Sequence, residues 1–356
     1  MRGNAHVSVF LARRAALAIP TLLGITLVTF VLLRVVPGDP ASLRFSDPSA
    51  PSTSASAEAV AHFRAENLLD RTLAIQYLHY LGPFDLSARG HRWFGGDGEH
   101  AWHGLLAGDL GREYLRPNVS VGAELGKRLC VTVPLALISA LLAFALAVPL
   151  GVLAALRRGS KFDVVSSFVL LALYAMPTFW MGLLLQLAFG SSGLGWLPVL
   201  GLHDKDASTL SAGAYAVDVA KHAVLPIACT TYASLAYISR QMRTSVLETA
   251  RQDYVRAARA KGLPERVIVL RHIVRNSLLP TLTLVGSILP WLGGGSVIVE
   301  TIFDIQGMGK YAYDSLVSRE YDAVAGCVLV SAVMTLAGFL VSDLLYAWID
   351  PRLRHE

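Results

Sequence analysis

The sequence predicts an all-α integral membrane protein with six transmembrane helices, and two observations support this fold class. Hydrophobic residues make up 54% of the 356 residues and charged residues only 16%, which is too few charges to cover the surface of a soluble protein. Uncharged apolar runs also reach the length of about 20 residues that a helix needs to cross a bilayer. The predicted spans cover residues 15–33, 131–156, 164–189, 223–241, 278–299 and 323–348.

The charges between the predicted spans give their orientation. Three segments have an excess of basic over acidic residues: 1–14 has three basic and no acidic residues, 157–163 has three and one, and 240–276 has nine and three. The segments between them are nearly neutral or acidic: 34–130 has ten basic and eleven acidic residues, 190–222 has two and three, and 301–322 has two and four. Since basic segments stay in the cytoplasm, we expect both termini and the loop 240–276 on that side.

The cytoplasmic loop carries strong signals for the start and stop of helices. Ser245 and Glu248 have the spacing of a capping box, which predicts that a helix begins near Ser245. Gly262 can adopt the left-handed conformation found just past a helix end, and Pro264 suits the start of the next helix. The loop is therefore predicted to form a helix, a sharp turn and a second helix.

The sequence of this loop resembles the EAA loop of ABC importer permeases. The pattern Arg256-Ala-Ala-x-x-x-Gly262, within DYVRAARAKGLPE and followed by RHIVRNSLLP, is similar to the form found in dipeptide, oligopeptide and nickel permeases. Arg256 stands where the wider family has Glu, and Leu279-Pro280 lie later than usual; the peptide branch shares both departures. The resemblance implies contact with an ATPase through Asp253, Tyr254, Arg256, Ala257, Ala258, Lys261 and Gly262.

Other blocks are similar to the same family at both ends of the chain. The opening RRAALAIPTLLGITLVTFVLLRVVPGDPA, residues 13–41, resembles the first of the two permease subunits in peptide importers. The blocks VETIFDIQGMGKYAYDSL at 299–316 and DLLYAWIDPRLR at 343–354 are also family-like. In the first of these, Glu300 follows glycines and a proline that weaken the fifth span. The candidate gate, or outer mouth, consists of Glu300, Phe303, Gly307 and Gly309.

The resemblance implies a type I ABC importer permease fold with an extended extracytoplasmic loop after the first helix, in a bacterial inner membrane. The implied partners are a second, nonidentical permease, two ABC ATPase subunits, an extracytoplasmic solute-binding protein and membrane lipid, with no nucleic acid. ATP and Mg would bind to the ATPases, and no cofactor is expected in this chain. Short peptides are the first candidate substrate, and nickel or another small solute is the alternative.

The domain organisation follows from the same features. Residues 1–33 form the tail and first span, 34–130 the outer loop, and 131–356 the permease core that contains the coupling loop 240–276. Within the outer loop, 57–81 has helical periodicity. Residues 82–103 are an insertion in which Trp93, Phe94 and Trp102 are candidate contacts for a partner protein or the membrane surface. The acidic and histidine residues of the insertion match no metal-binding motif, so no metal site is predicted.

The sequence contains no sign of its own ATPase site. Gly309-Lys310 and Gly126-Lys127 lack both the preceding glycine and the following Ser or Thr of a phosphate-binding loop. An ion-coupled secondary carrier or channel would be expected to carry acids deep in its spans, and a membrane enzyme would need a convergent polar site at one membrane face. The sequence shows neither feature, so an external ATPase is the favoured energy source.

Overall fold

The computed structural model describes residues 2–36, 38, 40–45, 54–82, 104–204, 206, 209–278, 280 and 296–349. The described residues form helices and their connections, with one isolated β-bridge between Arg112 and Ser120. The helices are α1 (Arg2–Val35), α2 (Pro40–Phe45), α3 (Ser54–Glu66), α4 (Leu73–Leu81), α5 (Val121–Leu156), α6 (Lys161–Ala175), α7 (Thr178–Phe189), α8 (Ala212–Thr249), α9 (Asp253–Ala260), α10 (Glu265–Val267, continuing as a π-helix over Ile268–Val274), α11 (Val297–Ile302), α12 (Met308–Val317) and α13 (Tyr321–Ile349).

Among the residues that the structure describes, three helical segments are long and apolar enough to cross a membrane: Ala16–Val35, Val121–Leu156 and Tyr321–Val341. A fourth span is possible if α6 and α7, which are bent by 101° at their junction, count as one. The break has a local cause. Pro177 disfavours helical backbone at the preceding Met176, which has the extended angles φ −78° and ψ 127°. The predicted span 164–189 is therefore divided between α6 and α7.

The other predicted spans have different outcomes. The segment 223–241 lies inside α8, whose 38 residues extend beyond the apolar run at both ends. Most of the predicted span 278–299 lies outside the described residues. The insertion 82–103 also lies outside them, apart from Gly82. The predicted helices in 57–81 are confirmed as α3 and α4.

The chain divides into two compact units. The first, here called the core unit, comprises Met1–Ala12, Val131–Lys310 and Met334–Glu356, and the second, the loop unit, comprises Arg13–Cys130 and Tyr311–Val333. In the loop unit, the Glu320 carboxylate accepts hydrogen bonds from the backbone N–H groups of Tyr114 and Leu115. Burial raises the pKa of Glu320, against the opposing effect of these N–H donors. Local sequence contains no sign of this bond across about 200 residues.

Several clusters of buried side chains, two of which are large, hold the helices of the core unit together. One cluster joins α8, α9 and α10 through Met242, Val246, Val255, Ile268 and Ile273. The other joins α8 to α11 and the loop that follows α11, and its most buried members are Leu225, Cys229, Phe303 and Ile305. Helix α8 contributes to both clusters, so this single long helix links the coupling loop to the middle of the unit.

Candidate functional site

The first helix to begin within the coupling loop starts later than the sequence predicted. Helix α8 continues without a break to Thr249, and the next helix, α9, begins at Asp253 after the N-cap residue Gln252. Ser245 therefore does not cap a helix. Its side chain is buried inside α8 and donates a hydrogen bond to the Ser277 carbonyl at 2.9 Å. The predicted capping box is wrong because a tertiary partner uses the hydroxyl that the motif would have used locally.

Helix α9 has one face in the core and one face exposed. Val255 and Ala258 are 0% and 6% exposed and pack in the cluster with Met242 and Ile268. The other predicted coupling residues in α9 and its C-terminal turn are exposed: Asp253, Tyr254, Arg256, Ala257, Lys261 and Gly262. Of the two alanines that were predicted to meet a partner, the structure leaves only Ala257 accessible.

The turn after α9 is built as predicted. Gly262 has φ +75°, the left-handed region that favours glycine. A Cβ atom at this position would meet no atom within 4 Å, so the backbone conformation alone restricts the residue. The Arg259 guanidinium spans the turn and donates hydrogen bonds of 2.8 and 3.3 Å to the Glu265 carboxylate. These bonds lower the pKa of Glu265.

A cavity of about 570 Å³ lies within the core unit between α5, α8, α11 and the junction of α6 with α7. Hydroxyl groups and one carboxylate provide most of its polar lining, namely Thr132, Ser139, Thr178, Thr230, Ser234, Tyr237 and Glu300. Sequence reasoning could not choose the lining among six polar residues. Thr178, Thr230, Tyr232 and Ser234 do line it, whereas Thr231 bonds to the Ser139 carbonyl and Gln186 to the carbonyls of Val199 and Ile302.

The junction of α6 and α7 is fixed by side chains of α8. The Tyr232 hydroxyl donates a hydrogen bond of 3.1 Å to the Met176 carbonyl, and the Cys229 thiol lies 3.6 Å from the Thr178 carbonyl. Carbonyl groups that a helix break leaves without intrahelical donors need such partners in an apolar setting. The break is thus a defined structural feature of the cavity wall, held by α8.

The Glu300 carboxylate forms the centre of a buried cluster that we call the Glu300 latch, made of Thr132, Glu300, Gly307, Met308 and Lys310. The Thr132 hydroxyl donates to Glu300 Oε1 at 2.8 Å and accepts a bond of the same length from the Met308 N–H. The Lys310 N–H donates to Glu300 Oε2, also at 2.8 Å. The latch therefore joins α5, α11 and the start of α12.

The two glycines of the candidate gate are needed for close approach to the latch. A Cβ atom on Gly307 would lie 2.5 Å from the Glu300 carboxyl carbon, and one on Gly309 would lie 2.8 Å from the backbone nitrogen of Val297. Phe303 is 1% exposed and packs in the core cluster, and its carbonyl accepts a bond from the Gly201 N–H. The structure thus places Gly307 and Gly309 against the Glu300 carboxylate, whereas Phe303 belongs to the core cluster with Leu225 and Cys229.

Sequence reasoning missed one further ion pair and the latch threonine. Asp163, in the first turn of α6, forms a two-bond ion pair with Arg243 of α8, with both distances 2.8 Å. Asp163 also accepts a bond from the Gly159 N–H, and Ser160 caps the helix. A capping motif around Ser160 could have been recognised in the sequence. Nothing local identifies Arg243 or Thr132 as a partner.

These features define a class of protein: a helical membrane permease, with a polar cavity beside a broken helix and an exposed basic helix at the end of α8. The comparisons identify the family. The chain belongs to the family described as binding-protein-dependent transport system inner membrane component, which matches residues 147–355. The N-terminal region described for such membrane components matches residues 7–90. The chain is thus an inner-membrane transport component, and the resemblance of the coupling loop to this family is confirmed.

Curated relatives match along almost the entire chain. The oligopeptide transport system permease protein AppB of Bacillus subtilis is 34% identical over 349 residues, covering 98% of this chain and 100% of the relative. The di/tripeptide transport system permease protein DppB of Pseudomonas aeruginosa is 38% identical over 362 residues, and dipeptide transport system permease protein DppB of Escherichia coli K12 is 34% identical over the same length. Each of these two matches covers 98% of this chain and 99% of the relative.

Proposed function

We propose that this chain is the membrane-spanning permease subunit of an ATP-driven importer of short peptides. It would pair with a second permease, two cytoplasmic ATPases and an extracytoplasmic solute-binding protein, and ATP and Mg would bind to the ATPases. The observation that carries the proposal is the two-faced helix α9. Its buried face is fixed in the core unit through Val255 and Ala258, while its basic face is free to meet a partner.

The packing around α9 supports a route from an ATPase to the cavity. A force on α9 acts on α8 through the cluster that contains Val255 and Met242. Helix α8 leads from there to Thr230 and Ser234 in the cavity wall, and the ion pair of Arg243 with Asp163 links it to α6. Because packed helices move as rigid elements, closure of the ATPases would shift α8 and α6 together. The cavity would then change its access between the two sides.

The cavity chemistry favours a peptide over nickel. Hydroxyl groups can bond to the N–H and C=O groups of any peptide, which suits transport that tolerates varied side chains. Among the described residues that line the cavity, no histidine or cysteine offers the imidazole or thiolate ligand that nickel sites commonly use. The names of the relatives, which include oligopeptide, di/tripeptide and dipeptide permeases, agree with this substrate class.

The proposal includes six spans, with both termini and the 240–276 loop in the cytoplasm and residues 34–130 outside. Cysteine labelling tests this topology in a variant without the native Cys130, Cys229 and Cys327. A cysteine at Asn118 should react with a membrane-impermeant maleimide from outside, whereas one at Gln252 should react only after the membrane is permeabilised. The reverse pattern would refute the orientation.

The central test concerns coupling. Ala257→Glu should leave assembly of the core unit intact, because Ala257 is exposed, and should abolish peptide uptake and peptide-stimulated ATP hydrolysis in the reconstituted transporter. Ala260→Glu is the matched control, because it introduces the same charge at an exposed position of the same helix that is not among the residues predicted to meet the ATPase. Normal uptake with Ala257→Glu would show that α9 is not the coupling element.

Two further roles belong to the proposal. The Glu300 latch would form the outer boundary of the cavity, and the insertion 82–103 would contact the solute-binding protein. Replacing residues 82–103 with a short Gly/Ser linker should leave assembly with the ATPases intact and reduce stimulation of ATP hydrolysis by the loaded binding protein. Unchanged stimulation would show that the insertion has no role in this contact.

A further inference from the structure

A histidine and two carboxylates converge at the start of α8, away from the cavity and the coupling helix. His222 lies in α8 one turn after Asp218, and Asp204 lies in the connection between α7 and α8. One possible ligand atom from each of the three side chains lies within 4.8 Å of the others. The His222 side chain is 2% exposed, that of Asp218 12% and that of Asp204 75%. The cluster is therefore anchored in the core unit and open to solvent on one side.

The hydrogen bonds around His222 fix which ring nitrogen carries the proton. Nδ1 lies 2.9 Å from the Asp218 carbonyl oxygen and 3.2 Å from Asp218 Oδ1, and both oxygens can only accept from it, so Nδ1 is the donor. In the neutral ring, Nε2 then carries a lone pair. Nε2 faces Asp204 Oδ1 at 3.7 Å, which is beyond hydrogen-bond distance. Nε2 of the neutral ring thus faces a second acceptor, and a cation between the two atoms would bind both.

The second carboxylate is also held in position. The Asp204 N–H donates a bond of 2.9 Å to Asp218 Oδ2, which ties the connection to the first turns of α8. A ring whose Nδ1–H is bonded to a backbone carbonyl is the arrangement that orients a metal-binding histidine and makes its other nitrogen more basic. Zinc binds nitrogen and carboxylate oxygen at about 2.0–2.2 Å. With these bond lengths and a bent N–Zn–O angle, one ion could bind both Nε2 and Asp204 Oδ1, which lie 3.7 Å apart.

We propose that His222, Asp204 and Asp218 form a binding site for one transition-metal dication of the Zn²⁺ type. One imidazole and two carboxylates suit zinc better than the all-oxygen shells of Ca²⁺ and Mg²⁺. Water would complete the coordination on the solvent side. Lys221 lines the same surface pocket as Asp204 and Asp218, so its positive charge offsets part of the negative charge of the two carboxylates. The bound ion would clamp the connection between α7 and α8 onto α8.

The experiment is a zinc titration of the purified full chain in detergent, read by competition with a chromophoric chelator. His91, His100 and His103 of the insertion are replaced by Gln in the background protein, so that their side chains cannot contribute. We expect one equivalent of zinc to bind, to raise the thermal midpoint of unfolding, and to be removed by EDTA. Calcium at the same concentration should give neither effect.

Two variants assign the binding to the proposed ligands. Asp204→Asn is the safer one, because this side chain is largely exposed, and His222→Asn keeps a side-chain donor near the Asp218 carbonyl. Each should weaken zinc binding at least tenfold. Asp206→Asn in the same connection is the matched control and should bind zinc as the background does. Absence of binding in the background protein, or equal binding by all variants, would overturn the proposal.

Discussion

The substitution Thr132→Val tests the Glu300 latch with little change in shape. Valine is close to threonine in shape, so no cavity forms, and its side chain is likewise β-branched and restricted at χ1. The change removes two hydrogen bonds of 2.8 Å at a residue that is 2% exposed: the bond from the hydroxyl to Glu300 Oε1 and the bond from the Met308 N–H. Glu300 keeps the bond from the Lys310 N–H.

The expected loss of stability follows from these two bonds. A hydrogen bond to a charged group contributes about 1.5–3 kcal/mol, and a buried N–H left without an acceptor costs about 1–3 kcal/mol. Together they predict a fall of about 2.5–6 kcal/mol in the free energy of unfolding. We also expect peptide uptake to fall, because the start of α12 would no longer be fixed to α5.

The assay is equilibrium unfolding of the purified subunit in mixed detergent micelles, with uptake measured in proteoliposomes. Thr230→Val is the matched control. Thr230 lines the same cavity, but its hydroxyl bonds only to the Pro226 carbonyl one turn earlier in the same helix, so its loss should change the free energy of unfolding by less than about 1 kcal/mol. Equal stability of the two variants would refute the latch.

Three further substitutions test other parts of the structure. Ala258→Glu should greatly reduce the yield of folded chain, because it buries an unpaired charge at a cost of several kcal/mol. Ala257→Glu, at an exposed position, should not reduce this yield. A normal yield of Ala258→Glu by size-exclusion chromatography would contradict the buried position of Ala258. Gly307→Ala should destabilise the chain, because its Cβ would clash with the Glu300 carboxyl group, whereas Gly126→Ala, which meets no atom within 4 Å, should not; similar melting temperatures would contradict this contact. Asp163→Asn should lower the free energy of unfolding by about 1–2 kcal/mol, since the ion pair with Arg243 is only partly shielded; unfolding at the wild-type denaturant concentration would show that the pair contributes nothing.

Local sequence signals predicted the features that depend on a few neighbouring residues. The composition identified a helical membrane protein, and the periodicity of 57–81 identified α3 and α4. The turn after α9 was predicted for the same reason, because a left-handed backbone conformation favours glycine at one position, here Gly262. The break at Pro177 could also have been recognised, since a proline restricts the residue before it.

The tertiary structure decided the features that depend on distant partners. Thr132 and Glu300 are 168 residues apart, and Asp163 and Arg243 are 80 residues apart. Ser245 has the spacing of a helix cap, but its hydroxyl bonds to the Ser277 carbonyl inside a continuous helix. The sequence predicted an amphipathic helix that stops before Gly262, but only packing determined that Ala258 lies in the core and Ala257 outside. A hydroxyl, a carboxylate or a methyl group has many possible partners, and the fold selects the one that it brings within contact distance.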